Sequence, residues 1–454
     1  MTPKETAGAS LFVLLLPLAA DAQIPDRLSL VRLPASAFDS PTSSTAAAPA
    51  LEWTDVFTRG AFGNKANPFP DYRWPHVARI PGASTGGRSD TLLALASACN
   101  ATKPCSSAHP WPCCSDTDEQ MLVLRRSVDA GKTFSGLIYP YLQPNGAAAW
   151  PFPPNVKSGG QLVWDSHRKI VWLFFSWSQA HDGAGHGCVG DGQSPQGLLL
   201  SSSTDFGLSF STPFNLSTAI APTWTSLCVA PSGGNAALDL GGGELRFMAN
   251  VVGSIPGVAP GELLIHAAAG GAKAEDMTFT MTSNLLRPCS DPATGKKCDF
   301  DEAALAHVAG GSGGGGGNDD HLFAVLRSDP ALTHTYATAH SVDGGTNWGP
   351  VTFAANLSSV ACQPSAVAVP TTAPQRVRLY VAAPQLGGKQ PLPSPAAREQ
   401  MTVMVSDDAG LTFPRERALM VYAGPSMYSN LADGGGGDVL LFFERAGNTS
   451  NKQA

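Results

Sequence analysis

The sequence predicts an all-β chain folded as a six-bladed β-propeller, and two observations carry that expectation. Four short segments share one pattern, Ser-x-Asp-x-Gly-x-(Thr/Ser/Asn)-(Phe/Trp): SVDAGKTF from Ser127, STDFGLSF from Ser203, SVDGGTNW from Ser341 and SDDAGLTF from Ser406. The chain also holds 48 glycines and 37 prolines in 454 residues, the turn content of many short strands.

The repeat has a mechanism. Each copy follows an apolar run, such as MLVLRR before Ser127 or MTVMV before Ser406. An Asp closes an Asx-type turn on its own backbone, the Gly takes a positive φ, and the aromatic returns to the core, which describes a β-hairpin. The copies start 76, 138 and 65 residues apart, so the middle interval has room for a unit whose turn is lost near ELLIHAAAGGAKAEDM. Units of roughly 65 to 75 residues hold four antiparallel strands each, and repeated four-stranded sheets make a propeller. From a first strand near Tyr72 to the end, that period gives six blades.

The N-terminus reads as an export signal over residues 1–22: Lys4, the apolar run ASLFVLLLPLAA, then ADA before Gln23. Residues 23–50 read as a linker and 51–454 as the propeller domain. No other stretch has the roughly 18 apolar residues a membrane span needs. Sequons at Asn100, Asn215, Asn356 and Asn448 agree with the secretory pathway, whether the destination is extracellular or a lysosome-like lumen. So do the nine cysteines, four of them (Cys99, Cys105, Cys113, Cys114) in one loop and Cys289 near Cys298. An odd count leaves at least one thiol free or paired between chains. No Cys/His spacing fits a zinc site, so no metal is expected. A net charge of -7 with only 14% charged residues gives no basis for nucleic acid or an anionic membrane as partner.

The four segments resemble the Asp boxes (BNR repeats) of the sialidase, or neuraminidase, family of secreted and lysosomal propellers. Asp boxes lie on the outside of the blades, away from the active-site face, and occur in binding propellers too. They speak for the fold and leave catalysis to other residues. The chemistry sets clear demands. Sialic acid carries a carboxylate on its anomeric carbon, which Arg side chains hold by planar bidentate pairing. That charge repels a carboxylate nucleophile, and sialidases use Tyr instead. A phenol with a pKa near 10 needs a carboxylate base, and a separate acid protonates the leaving oxygen.

The resemblance supplies a candidate for each part. In DYRWPHVARIPGAS the first Arg is Arg73, because a plausible strand follows YRWP. Arg79, in the literal RIP, is the alternative. Asp116 lies 11 residues before Ser127 and is the acid/base candidate, with Asp118 nearby. FDEAALAHVAGGSGGGGGNDDHLFAVLRSD supplies the base Glu302 and the second Arg, Arg327, across a glycine-rich turn. Arg398 lies eight residues before Ser406 and is the third Arg. GPSMYSNLA followed by DVLLFFERAG supplies Tyr428 as nucleophile and Glu444 as the partner of the first Arg.

One departure concerns the strand LLALASACN, where Ser97 and Cys99 stand in place of a common Glu and Arg; the loop after it is read as covering part of the pocket mouth. The chain ends ten residues after Glu444, where family members continue into another strand, so either LEWTDVFTRG closes the ring or the chain is truncated. The resemblance implies a retaining exo-α-sialidase acting on sialylated glycans without a cofactor. A trans-sialidase, a hydrolase of a related 2-keto sugar and a non-catalytic carbohydrate-binding propeller are the alternatives.

Overall fold

The strand IVWLFFSWS, Ile170–Ser178, is apolar on both faces, and in the fold both faces are covered. This is a computed structural model, and it describes residues 25–39, 51–58, 69, 71–86, 89–99, 120–141, 159–178, 196–221, 229–251, 261–268, 270–283, 300–308, 320–328, 335–371, 377–385 and 398–446. The described strands form antiparallel sheets stacked face to face in a ring, an all-β propeller arrangement. A strand between two neighbouring sheets buries alternate residues on each, so near-continuous apolar runs replace simple alternation.

The strands make five hydrogen-bonded sheets rather than six separate ones. The first joins Tyr72–Ile80, Thr91–Cys99 and Gln120–Ser127, with an added bridge from Leu124 to Ile138. The second runs Gln161–Asp165, Ile170–Ser178, Gln196–Ser203 and Phe214–Asn215. In the third, Val229–Pro231 and Ala237–Gly241 both pair with Glu244–Val251, followed by Gly261–Ala268 and Thr278–Ser283. The fourth is Phe300–His307, Leu322–Ser328, Thr335–Ser341 and Thr352–Ser358. The fifth has seven strands: Ser365–Pro370, Val377–Gln385, Glu399–Ser406, Leu419–Gly435, Asp438–Ala446, Pro25–Leu33 and Glu52–Thr58. The sheet count falls below the expected six because Leu419–Gly435 is one 17-residue strand that pairs with Glu399–Ser406 by its first half and Asp438–Ala446 by its second.

Residues 25–33 are not linker, as their sequence suggested. Pro25–Leu33 lies between Asp438–Ala446 and Glu52–Thr58 and pairs with both. The stretch LEWTDVFT, through Glu52–Thr58, thus joins the sheet of the last described strand. Leu28, Leu30, Val31 and Leu33 are buried there, and burial is what specifies their register.

Apolar cores fill each interface around the ring. One packs Trp172 and Phe174 of the second sheet on Phe247 and Leu263 of the third, with the Phe174 and Phe247 rings 5.0 Å apart. Another sets Leu28, Phe57 and Phe442 against Tyr72, Val77 and Leu92, joining the fifth sheet to the first. Burying a large apolar side chain fully is worth about 1.5–3 kcal/mol, and truncating Phe247 to Ala costs about 3–5 kcal/mol once the cavity is counted.

At the axis the inner strands are tied by side-chain amides. Asn430 accepts from the Val77 N–H at 2.9 Å and donates to the Gly234 carbonyl. Asn235 donates to the Leu431 carbonyl at 2.7 Å, and Gln161 to that of Gly233 at 3.0 Å. Low-dielectric surroundings make such satisfied networks rigid, which fixes the strand ends from which the candidate site is built.

The four repeated turns share one geometry. Ser127, Ser203, Ser341 and Ser406 each donate to the Asp two residues on, at 2.6–2.8 Å, and accept from the Gly N–H four residues on, at 2.8–2.9 Å. Two successive residues take positive φ, not Gly alone: Ala130–Gly131, Phe206–Gly207, Gly344–Gly345 and Ala409–Gly410. In three of the four the first residue of the pair is not glycine (Ala130, Phe206, Ala409), and the Asp accepts the N–H of the residue four further on to close the turn around it. In the interval where the sequence reads the turn as lost, a short 3-10 turn at Ala274–Asp276 lies between Gly261–Ala268 and Thr278–Ser283.

Candidate active site

Four of the candidate residues stand at irregularities in the strands. Tyr72–Ile80 and Thr91–Cys99 lose register between Arg73 and His76, and Trp74 there has a φ of 51°. Glu302 has a φ of 45° and sits in the register shift between Asp301 and Ala303. Gln400, two residues after Arg398, has a φ of 59° within a shift between Glu399 and Met401. Tyr428 lies in the shift between Ser426 and Ser429. Bulges turn side chains out of the alternating pattern and recur beside active sites. A non-glycine residue at positive φ costs about 1–3 kcal/mol, which the surrounding packing must sustain.

These bulges bring together side chains from distant segments. The Tyr428 ring has the Arg73 guanidinium 5.5 Å from its centroid and that of Arg398 at 5.8 Å. Arg73 also stacks over Trp74 at 4.5 Å, and the Trp74 and Tyr428 rings lie 6.3 Å apart. Arg327 is ion-paired with Glu302 through Nη1 and Oε2. Glu444, almost fully buried, lies 4.0 Å from the Arg73 Nε and accepts the Trp74 N–H at 2.9 Å. Arg398 donates to the carbonyl of Ala361, itself at a φ of 52°.

The electrostatics follow from burial. Tyr428 is held well above the ordinary phenol range, first by burial and then by the Glu302 charge, against the pull of Arg398, Arg327 and Arg73. It is a neutral phenol at physiological pH and needs a base when it reacts. Burial also pushes the Glu444 carboxyl up to about 7, against Arg73 and the Trp74 N–H; neighbouring Asp71 adds to the rise. Three guanidiniums acting on one phenol make a setting suited to an anion, and planar forks match a carboxylate.

Arg79 is elsewhere. It lies at the other end of the strand that carries Arg73, roughly 20 Å away by strand rise, and binds Asp90 at 2.6 Å and Asp433 at 3.0 Å. Asp116, Asp118, Asn100 and Asn448 lie outside the described residues, as do residues 1–22 and most of the glycine-rich turn after Val308. Asn215 caps the helix Leu216–Ile220 by accepting the Thr218 N–H, and Asn356 donates to the Phe413 carbonyl at 3.0 Å. Ser97 pairs with Arg73 in register and is fully buried, its hydroxyl without a hydrogen-bond partner among the described residues. The Cys99 side chain is outside them.

Sequence reasoning missed three contributors. Trp74 stands inside the quoted YRWP, but nothing local marks its positive φ or its stacking on Arg73. Cys362 is a free, buried thiol packed with Tyr428, Met427 and Val360. The Ala361 carbonyl that Arg398 binds leaves no sequence signal at all.

No family model and no curated protein sequence matches the chain. Solved structures do resemble it. A Hadza microbial sialidase, Hz136, is similar with 18% identity and a TM-score of 0.58, over 84% of this chain and 65% of that one. The NanB sialidase of Streptococcus pneumoniae is similar with 12% identity and a TM-score of 0.55, over 90% of this chain and 70% of its own. The intramolecular trans-sialidase of Ruminococcus gnavus shows 12% identity and a TM-score of 0.50, over 85% of this chain and 92% of its own. The chain therefore has a sialidase-like β-propeller fold, and it spans slightly under two thirds of the length of the Hadza microbial sialidase.

Proposed function

We propose that this chain is a retaining exo-α-sialidase that removes terminal sialic acids from glycans. The observation that carries the reading is the convergence of Tyr428, Arg73, Arg398, Arg327, Glu302 and Glu444, six residues from well-separated segments, around one buried phenol. Arg73, Arg327 and Arg398 hold the substrate carboxylate. Tyr428 attacks the anomeric carbon as the bond to the leaving oxygen breaks; Glu302 takes the phenolic proton and Asp116 protonates the leaving oxygen. Asp116 then takes a proton from water, which attacks the same carbon; the tyrosyl bond breaks and Glu302 returns its proton to Tyr428. Positive charge at the oxocarbenium-like centre is stabilised by the preorganised Glu302 and Tyr428.

The same reading treats the ring as six blades, with the seven-stranded sheet as two that share Leu419–Gly435. Six apolar interfaces around the ring favour it. The four repeated turns are then Asp boxes. Residues 1–22 act as a signal peptide, the protein works in the secretory pathway, and Asn100, Asn215, Asn356 and Asn448 carry glycans.

The test is release of 4-methylumbelliferone from its α-sialoside between pH 4 and 8, by the wild-type chain and by Tyr428→Phe. Release by the wild type and background levels for the variant are expected. A folded wild type that releases nothing overturns the reading and favours a binding propeller or another 2-keto sugar.

A further inference from the structure

The third sheet contributes no member of the site described above, yet one of its loops backs onto Glu302. Ser232, which is 1% exposed, follows Val229–Pro231 at the inner edge of that sheet. Its hydroxyl oxygen accepts the N–H of Ala303, the residue after Glu302, at 2.5 Å. The same hydroxyl donates to Oε1 of Glu262 at 2.9 Å. Glu262 is 5% exposed, at the start of Gly261–Ala268. The approach is close enough to require glycine next door: a Cβ on Gly233 would come within 2.2 Å of the Ala303 carbonyl oxygen. Two residues on, the Asn235 carbonyl accepts the Leu305 N–H at 2.8 Å.

The Ala303 N–H matters because of where it sits. The register with Leu322–Ser328 slips between Asp301 and Ala303, and Glu302 has left the extended region within that slip. A bulge leaves the backbone without one partner of the regular ladder. Ser232 supplies a partner on one side of the strained residue while Arg327 holds its carboxylate on the other. A hydroxyl rotates freely unless an acceptor fixes it, and Glu262 is that acceptor.

We propose that Ser232 and Glu262 are positioning residues for Glu302: Glu262 aligns the Ser232 hydroxyl, and Ser232 anchors the bulge that aims the Glu302 carboxylate at Tyr428. The inference rests on the sialidase reading for its kinetic consequences, though not for its geometry. Neither residue touches the phenol, so removing them moves the base and its pairing with Arg327 while Arg73 and Arg398 keep their places around Tyr428.

The experiment compares Ser232→Ala, Glu262→Leu and Glu262→Gln with the wild type on 4-methylumbelliferyl α-sialoside. Ser232→Ala and Glu262→Leu are expected to lose ~10- to 100-fold in kcat with KM within about threefold of wild type, the size that displacing a catalytic group by under 1 Å produces. Glu262→Gln keeps an amide oxygen that accepts from Ser232 and loses less than Glu262→Leu. A purely structural role lowers the melting temperature without this split between kcat and KM and without the Gln/Leu order, and that outcome overturns the proposal. If Ser232→Ala does not fold, the two Glu262 variants decide alone. A wild type without activity sinks the sialidase reading only. Crystal structures of wild type and variants then decide the positioning role: Glu302 leaving its left-handed conformation supports it, and Glu302 unchanged in φ and in its pairing with Arg327 overturns it.

Discussion

The backbone N–H of Trp74 donates to the Glu444 carboxylate at 2.9 Å, joining the first propeller strand after the N-terminal pair to Asp438–Ala446, the last described strand. The bond holds Trp74 at its positive φ and keeps Glu444 within 4.0 Å of Arg73. Segments about 370 residues apart in sequence thus shape one wall of the site.

That wall is expected to respond to pH. The Glu444 carboxyl is raised by burial to about 7, above its unfolded value of 4.5. A group raised on folding contributes stability that is fully present below the unfolded pKa and lost as pH rises through the folded one. The wild type should therefore lose stability between pH 4.5 and 7 relative to Glu444→Gln, which cannot ionise. Melting temperatures of both proteins from pH 4 to 8 check this, and parallel curves contradict it.

His76 has the opposite sign. It is buried between the first and second sheets, where its Nδ1 accepts the Leu162 N–H at 3.3 Å, and burial pushes its pKa down to about 3. The unfolded chain takes up a proton near 6.5 and the folded one does not. Stability is present above 6.5 and falls as pH drops toward 3. Denaturant titrations at pH 7 and 4.5 should show a smaller loss for His76→Gln than for the wild type; an equal loss removes His76 as the cause.

The repeated turns are expected to affect stability alone. Asp408 accepts from Ser406 at 2.6 Å and from the N–H and hydroxyl of Thr412 at 2.9 and 2.5 Å. Asp408→Ala should cost about 1–3 kcal/mol, because the buried Ser406 hydroxyl loses its acceptor. Urea unfolding measures the cost, and KM should stay unchanged. A shift in KM would mean that this turn communicates with the pocket.

Cys362 should be inert in the folded protein. Burial beside Tyr428 pushes its thiol up to about 11, and only the thiolate reacts. Iodoacetamide at pH 8 is expected to leave the Cys362 peptide unlabelled until denaturant is added, as peptide mass spectrometry will show. Labelling of the native protein would mean that the wall under Tyr428 opens.

The sequence by itself determined the repeated turn and the strands around it. Ser127, Asp129 and Gly131 form their turn from contacts within five residues, so local chemistry is enough to specify it. Apolar runs such as Ile170–Ser178 likewise had to be buried on both faces. The order of Arg73, Glu302, Arg327, Arg398, Tyr428 and Glu444 was legible only through the family resemblance, because single Arg and Glu residues at strand ends carry no local signal. Tertiary structure decided the rest. Trp74 and Glu302 stand at positive φ against their own preference, and only packing from other segments keeps them there. Pro25–Leu33 became a strand because Asp438–Ala446 offered it an edge more than 400 residues away in sequence. An unpaired edge and a strained bulge are settled by partners distant in the chain, and no local pattern of residues names those partners.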